Sequence, residues 1–353
     1  MLDEKILREK IEELKDKYHV AGMAVSVTDR EKVVYAEGFG MENVEYPERK
    51  ITTETMFRIA SVTKIVAATM IMRMVEEGLL ELDKLVKEYL PELVLSRPEA
   101  LEEMTLRHLL THTAGLPTDG VIPEGSRDES AIGDNIARTF PHLEIAHLPS
   151  ESVFGYANMG FTLAGHIASK LTGKTISELF EEYVLEPLGM ERSTMDFYKA
   201  ATWPFSQPHE PDGDSWTVTH YQRINTLYSA GGGIHSNAME MAKLARFLLN
   251  RGVTDSGERL LSEASIDQMF EKHSVWESEH GDFYGMGIHI HNHKCSQGVR
   301  CFYGHCGNYH PYHSSVFVDP KTGYGVSVLM NTAAEPLQCG MSDALIELLE
   351  AVD

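Results

Sequence analysis

Between residues 4 and 18 the apolar positions Ile6, Leu7, Ile11, Leu14 and Tyr18 recur three or four apart among charges. That spacing predicts an amphipathic helix with one buried stripe. The next run, AGMAVSVTDREKVVYAEGFG, alternates apolar and polar residues around DREK and predicts a β-hairpin. An apolar helix begins near Ser61 and ends in EEGLLELD, where Gly78 is a natural C-terminal cap. From about residue 80 to 225 the pattern is helical segments and loops, including TLRHLLTHTAGL, NMGFTLAGHIASKLTG and TISELFEEYVLEPLGM. The stretch Trp203–Tyr221 is rich in Pro, Gly, Asp and Ser and is long for a plain connection, so it is expected to line or cover a site. A glycine turn, SAGGGIHSN, leads into the helix AMEMAKLARFLLNRG and another around Ser262–Lys272. Strand-like runs follow, GMGIHIHNH, HSSVFVDP and GYGVSVLMN, and a helix is expected over the last dozen residues.

Strands therefore sit at both ends of the chain and helices in the middle. The expected fold is α/β of the α+β type, an antiparallel sheet flanked by helices and assembled from residues 1–79 and 226–353. An all-helical region, 80–225, is inserted, with the active site between the two parts.

Composition narrows the function. The chain has 353 residues, 42% hydrophobic and 24% charged, within the soluble globular range. Its 31 basic and 53 acidic residues give a formal charge of −22, which repels phosphate backbones and anionic lipid. Nucleic-acid and membrane partners are not expected. The charged N-terminal helix is no export segment, and the apolar run Ile65–Val75 is interrupted by Arg73 and too short to span a bilayer, so a cytoplasmic protein is expected. Cys295, Cys301, Cys306 and Cys339 lie in the last sixth of the chain; Cys295 and Cys301 flank a turn and could bridge, but free thiols suit a cytosolic protein better.

The candidate chemistry starts where the apolar helix does. Ser61 and Lys64 lie three apart, on one helix face. A serine hydroxyl needs a base, and an amine is a base only when neutral, so the lysine pKa must fall from about 10.4 towards 7. An apolar setting and the positive end of the helix dipole both push that way. The same spacing also suits a capping serine followed by an outward lysine; this Ser-x-x-Lys, though, is the single one in the chain and opens an apolar helix. A second constellation is Tyr156-x-Asn158, whose phenol and carboxamide project together from an extended loop. For a third element, Lys321-Thr322-Gly323 competes with Gly304-His305-Cys306-Gly307. Lys321 follows Asp319-Pro320 between two strand-like runs and reads as a hairpin turn, so His305 is preferred.

Ser-x-x-Lys, Tyr-x-Asn and Lys/His-x-Gly in this order resemble the serine β-lactamase and penicillin-binding-protein-like superfamily. The resemblance is strongest to its class C branch of β-lactamases, esterases and D-amino-acid peptidases. FRIASVTK, LRHLLTHTAGLP, LEPLGM and SAGGGIHSN add to it. The resemblance implies a β-lactamase/transpeptidase-like fold, with Ser61 as the acylated nucleophile and Lys64 and Tyr156 sharing the proton transfers. Asn158 would position Lys64 and the substrate, and His305 would stand in the lysine's place. Gly307 and Asn308 would contact substrate, the backbone N–H groups of Asn308 and Ser61 forming an oxyanion hole. The expected activity is a serine hydrolase acting through an acyl-enzyme on a small-molecule or peptide ester or amide, with no cofactor. A true β-lactamase and a non-turnover acylated sensor or scaffold are the competing readings. Two departures bear on these. The third motif continues as Asn308-Tyr309-His310-Pro311-Tyr312, whose rings would narrow the pocket. Histidine for lysine removes a fixed cation that a penicillin carboxylate would need, which favours an esterase or peptidase.

Other patterns are read as structural. His289, His291 and His293 alternate along a strand with Cys295 in phase, as a metal site would require, but the inferred chemistry needs no metal and no carboxylate partner is visible. Gly231-Gly232-Gly233 is a turn, not a phosphate cradle, and His108 and His112 read as packing or capping residues. Trp203, Phe205 and Trp216 are divided between core and pocket lining.

Overall fold

The computed structural model describes residues 4–119, 128–222, 224–276, 281–295 and 298–332. Twelve strands are present among them: β1 Gly22–Thr28, β2 Val33–Gly40, β3 Phe57–Arg58, β4 His209–Asp212, β5 Ser215–Val218, β6 His235–Ser236, β7 Ser274–Val275, β8 Phe283–Tyr284, β9 His289–Cys295, β10 Gly298–Tyr309, β11 Tyr312–Asp319 and β12 Tyr324–Met330. Eight of them form one antiparallel sheet in the order β2-β1-β12-β11-β10-β9-β8-β7. The first hairpin thus joins the last described one through the β1–β12 pairing.

Each face of the sheet is covered. The first helix, α1 (Glu4–Lys17), buries Leu7, Ile11 and Leu14 against Val25, Val27, Phe302, Phe317, Val326 and Val328. On the opposite face lies the main core, which takes in α2 (Thr63–Glu76) and the helix Ala238–Leu249. Covering both faces is why every residue of β1 is buried, polar ones included. Ser26 and Ser327, directly opposite across β1 and β12, satisfy each other through a 2.6 Å hydroxyl pair. Gly78 ends α2 with φ +73°, as a C-terminal glycine should.

Three sequence expectations change. The longest strand, β10, is not signalled by alternation, because Gly304, His305, Gly307 and Asn308 interrupt its apolar pattern. Residues 203–221, expected to line or cover a site, include the β4–β5 ribbon, so the inserted region 80–225 is not all helical. Trp216 stacks on His19 at 4.4 Å beside the end of α1, while Phe205 and Tyr221 pack around His235. Free thiols hold for Cys301 but not for Cys306, which is in a disulfide. The free Cys301 also rules out the Cys295–Cys301 bridge, and the side chains of Cys295 and Cys339 lie outside the described residues. The helix expected over the last dozen residues also lies outside the described residues. No described helix is long and apolar enough to cross a membrane.

Candidate active site

Four segments distant in sequence converge at the start of α2. Ser61 lies in a 3-10 turn, Ala60–Val62, that runs straight into the helix. The residue before it, Ala60, is buried with φ +44°, a left-handed value that is costly for a residue with a Cβ. Surrounding packing enforces that turn and sets Ser61 at the positive end of the helix dipole. Lys64, one turn on, is fully buried. Tyr156 is in extended chain, and Ala157 caps the helix Asn158–Thr172, so Tyr156 and Asn158 reach the same spot from a loop and a helix start. The short helix Ser229–Gly232 supplies a carbonyl.

The geometry is tight. Lys64 Nζ lies 3.0 Å from Ser61 Oγ, 2.8 Å from Asn158 Oδ1 and 2.9 Å from the Gly231 carbonyl oxygen. Tyr156 Oη lies 2.8 Å from Ser61 Oγ. Burial pushes the Lys64 ammonium down to about 7, against the Asp119 carboxylate, which favours its charge. A neutral Lys64 can donate its two N–H groups to Asn158 and Gly231, leaving its lone pair for the Ser61 hydroxyl proton. Burial pushes the Tyr156 phenol up, so at neutral pH it is an acid and hydrogen-bond donor rather than a phenolate base. This arrangement can activate a hydroxyl and carry its proton.

Beside Ser61 opens a cavity of about 300 Å³ lined by Asp119, Asn158, Ile224, Tyr228, Asn308 and Tyr309 among others. Gly307 explains how β10 approaches: a Cβ there would meet the Ile59 carbonyl oxygen at 2.2 Å and Ser61 N at 3.1 Å. Only a glycine lets β10 lie this close to the serine backbone. Asn308, next along β10, lines the cavity.

His305 stands one layer back. It is buried, its Nδ1 bonds the Cys306 carbonyl, and its Nε2 lies 2.8 Å from the Tyr284 hydroxyl. A carbonyl accepts only, so Nδ1 carries the proton and Nε2 receives the phenol's. Its ring lies 6.3 Å from that of Tyr156, and burial, aided by the Lys64 charge, pushes its pKa well down. The structure thus brings Ser61, Lys64, Tyr156 and Asn158 into one hydrogen-bonded cluster and sets His305 behind it. Lys321 sits in the β11–β12 turn, its N–H bonded to Asp319. Of the rings after the third motif, Tyr309 lines the cavity and lies under the Arg58 guanidinium at 4.2 Å; Tyr312 is core, and His310 is exposed beside Glu210.

Several residues were not singled out from sequence. The Gly231 carbonyl has no side-chain signature, and Asp119 carried no motif, although it follows HTAGLP closely. His112, read as packing or capping, does pack, but against the site: its ring lies 4.4 Å from that of Tyr156 and 4.5 Å from that of Tyr284, and its Nδ1 accepts from Ala157 N.

The profile of the family described as Beta-lactamase matches residues 7–349. Among curated proteins, the chain is 27% identical over 267 residues to "Penicillin-binding protein 4" of Amycolatopsis lactamdurans, covering 74% of this chain and 68% of that protein. It is 23% identical over 319 residues to "Protein flp" of Staphylococcus aureus (strain MW2), covering 90% of this chain but only 61% of the relative. Among solved structures, an octameric penicillin-binding protein homologue from Pyrococcus abyssi superposes with a TM-score of 0.81 at 27% identity, over 99% of this chain and 78% of that one. A D-stereospecific amidohydrolase from Streptomyces sp. superposes with a TM-score of 0.74 at 21% identity over 98% of each chain, a likeness of fold. With its antiparallel sheet, flanking helices and a serine–lysine pair opening α2, this chain belongs to the beta-lactamase family.

Proposed function

We propose that the protein is a serine hydrolase that transfers an acyl group from an ester or amide to Ser61 and then to water. The observation that carries this reading is the position of Ser61 Oγ, 3.0 Å from a buried lysine amine and 2.8 Å from a phenol. Neutral Lys64 takes the hydroxyl proton as Ser61 Oγ bonds to the substrate carbonyl carbon. The oxyanion lies against the backbone N–H groups of Ser61 and Asn308, each such donor typically contributing about 3 kcal/mol in the transition state. As the intermediate collapses, the bond to the leaving oxygen or nitrogen breaks. Tyr156 gives that atom its proton and regains one from protonated Lys64. Water repeats the sequence to free Ser61.

Two features in and behind the cavity favour an open-chain ester or amide substrate over a β-lactam. His305 is buried and held neutral, so it offers no fixed cation to a carboxylate. Asp119 places an anion in the cavity instead, which suits a substrate with a cationic group near the scissile bond.

The test is a serine-reactive fluorophosphonate followed by mass spectrometry of the intact chain. One adduct on Ser61 is expected, absent in Ser61→Ala with an unchanged circular-dichroism spectrum. Equal labelling of the variant would remove Ser61 from the mechanism. Turnover of p-nitrophenyl esters or amino-acid amides after the burst separates a hydrolase from an acylated sensor, which stops at the adduct.

A further inference from the structure

We propose that Asp282, His289 and His291 form a binding site for a divalent transition-metal ion of the zinc type in the β8–β9 hairpin, with Trp276 between His289 and Tyr156. Strand alternation puts His289 and His291 of β9 on one face. The carboxylate comes from Asp282, immediately before β8, which pairs with β9 through Phe283↔Ile290 and Tyr284↔His289. His289 Nε2 and His291 Nδ1 each lie 2.9 Å from the same oxygen, Asp282 Oδ2, and all three ligand atoms fall within 4.8 Å of one another. The rings of His289 and His291 lie near Phe317 and Phe302, which belong to the core beneath α1. His305 points to the opposite face of β10, being an odd number of residues from Phe302.

The donor set is specific. Two imidazoles and one carboxylate suit zinc and its neighbours, whereas magnesium and calcium favour oxygen alone. Bonds of about 2.0–2.1 Å in a tetrahedral site put ligand atoms roughly 3.3 Å apart, so an ion would widen the two 2.9 Å His–Asp separations by a few tenths and draw the two imidazole nitrogens, now within 4.8 Å, to a similar spacing. Three protein ligands leave a fourth position for water or a small anion. The supporting shell is in place. Asn292 N–H donates to the other carboxylate oxygen, Asp282 Oδ1, at 2.8 Å, and the Asn292 side-chain amide donates to the Gly281 carbonyl at 2.6 Å. Trp276 covers His289 at 4.4 Å, and the three ligands are only 5–7% exposed, so charge there is poorly screened. Burial acts to raise the Asp282 carboxyl, and the hydrogen bonds from both histidines outweigh it and keep it ionised. The side chains of His293 and Cys295, the other members of the alternating run, lie outside the described residues.

An ion here would clamp β8 to β9. Tyr284 of β8 holds His305, so the clamp would fix the wall behind Tyr156 without touching the reacting atoms. The inference stands apart from the acyl-transfer reading, because its measurement is metal binding.

The whole chain, stripped with a chelator and dialysed, is titrated with zinc chloride by calorimetry, and bound zinc is counted by plasma mass spectrometry. One ion per chain is expected, with affinity at least a hundredfold weaker in the folded double variant Asp282→Asn/His291→Gln. X-ray absorption at the zinc edge of the parent, which needs no variant, should show two imidazoles and no sulfur. No bound zinc at 100 µM, a sulfur ligand, or undiminished binding in the double variant would each overturn the site and leave a hydrogen-bonded His–Asp–His fork.

Discussion

The two clusters described above are built in opposite ways. Ser61, Lys64, Tyr156, Asn158 and Gly231 come from segments up to 170 residues apart and meet only because the sheet, α2 and the helical region pack together. Asp282, His289 and His291 come from one short hairpin, ten residues from end to end. The first cluster depends on tertiary packing for every distance in it. The second depends on strand register, which a period of two fixes locally. Lesions in the core should therefore strike the two sites unequally.

The largest expected effect is at Lys64. Lys64→Met removes the base, and fluorophosphonate labelling should slow by about 10³-fold. In the parent the labelling rate should rise with pH through about 7, because the amine must lose its proton to act and burial sets that value. A rate flat from pH 5 to 9 would show that Lys64 is not the titrating base. Tyr156→Phe comes next, with a loss of about 10- to 100-fold that falls mainly on turnover of poor leaving groups, since those need a proton from the phenol. His112→Ala breaks the comparison most directly. It unseats Tyr156 and should slow labelling about tenfold, the low end of what misplacing a catalytic group costs, while zinc affinity stays within about twofold. Equal damage to both would mean that the clusters share one support. The smallest effect is at Asp119→Asn. Its charge raises the Lys64 pKa, so its removal should move the acid limb of the labelling profile to lower pH without abolishing it.

The sequence made some of this plain and hid the rest for physical reasons. Ser61 and Lys64 are one helical turn apart, and Tyr156 and Asn158 two residues apart, so each pair was visible as local spacing. That the pairs meet is a tertiary fact, and the Gly231 carbonyl that completes the lysine's shell is backbone, which no residue type announces. β10 escaped alternation because Gly304 and Gly307 serve close backbone approach rather than packing; a Cβ on Gly304 would meet the Val316 carbonyl oxygen at 1.9 Å. The His289–His291 pattern was legible, but its carboxylate lies across a turn, outside any alternating window. Cys306 shows the converse, a cysteine whose bonding could not be read from neighbours in the chain.

Lys64 also has a consequence for the folding equilibrium. In the unfolded chain its amine takes up a proton below about 10.4, whereas in the fold it does so only below about 7. Between these values the unfolded state binds the extra proton, so the native state gains on it as alkali is added. Below about 7 the whole penalty is present, on the order of several kcal/mol. Urea denaturation midpoints should therefore climb from neutrality towards pH 9, and the methionine replacement should flatten that climb while surpassing the parent at pH 6. The group best placed to act as a base is then also one that the native state holds at a cost.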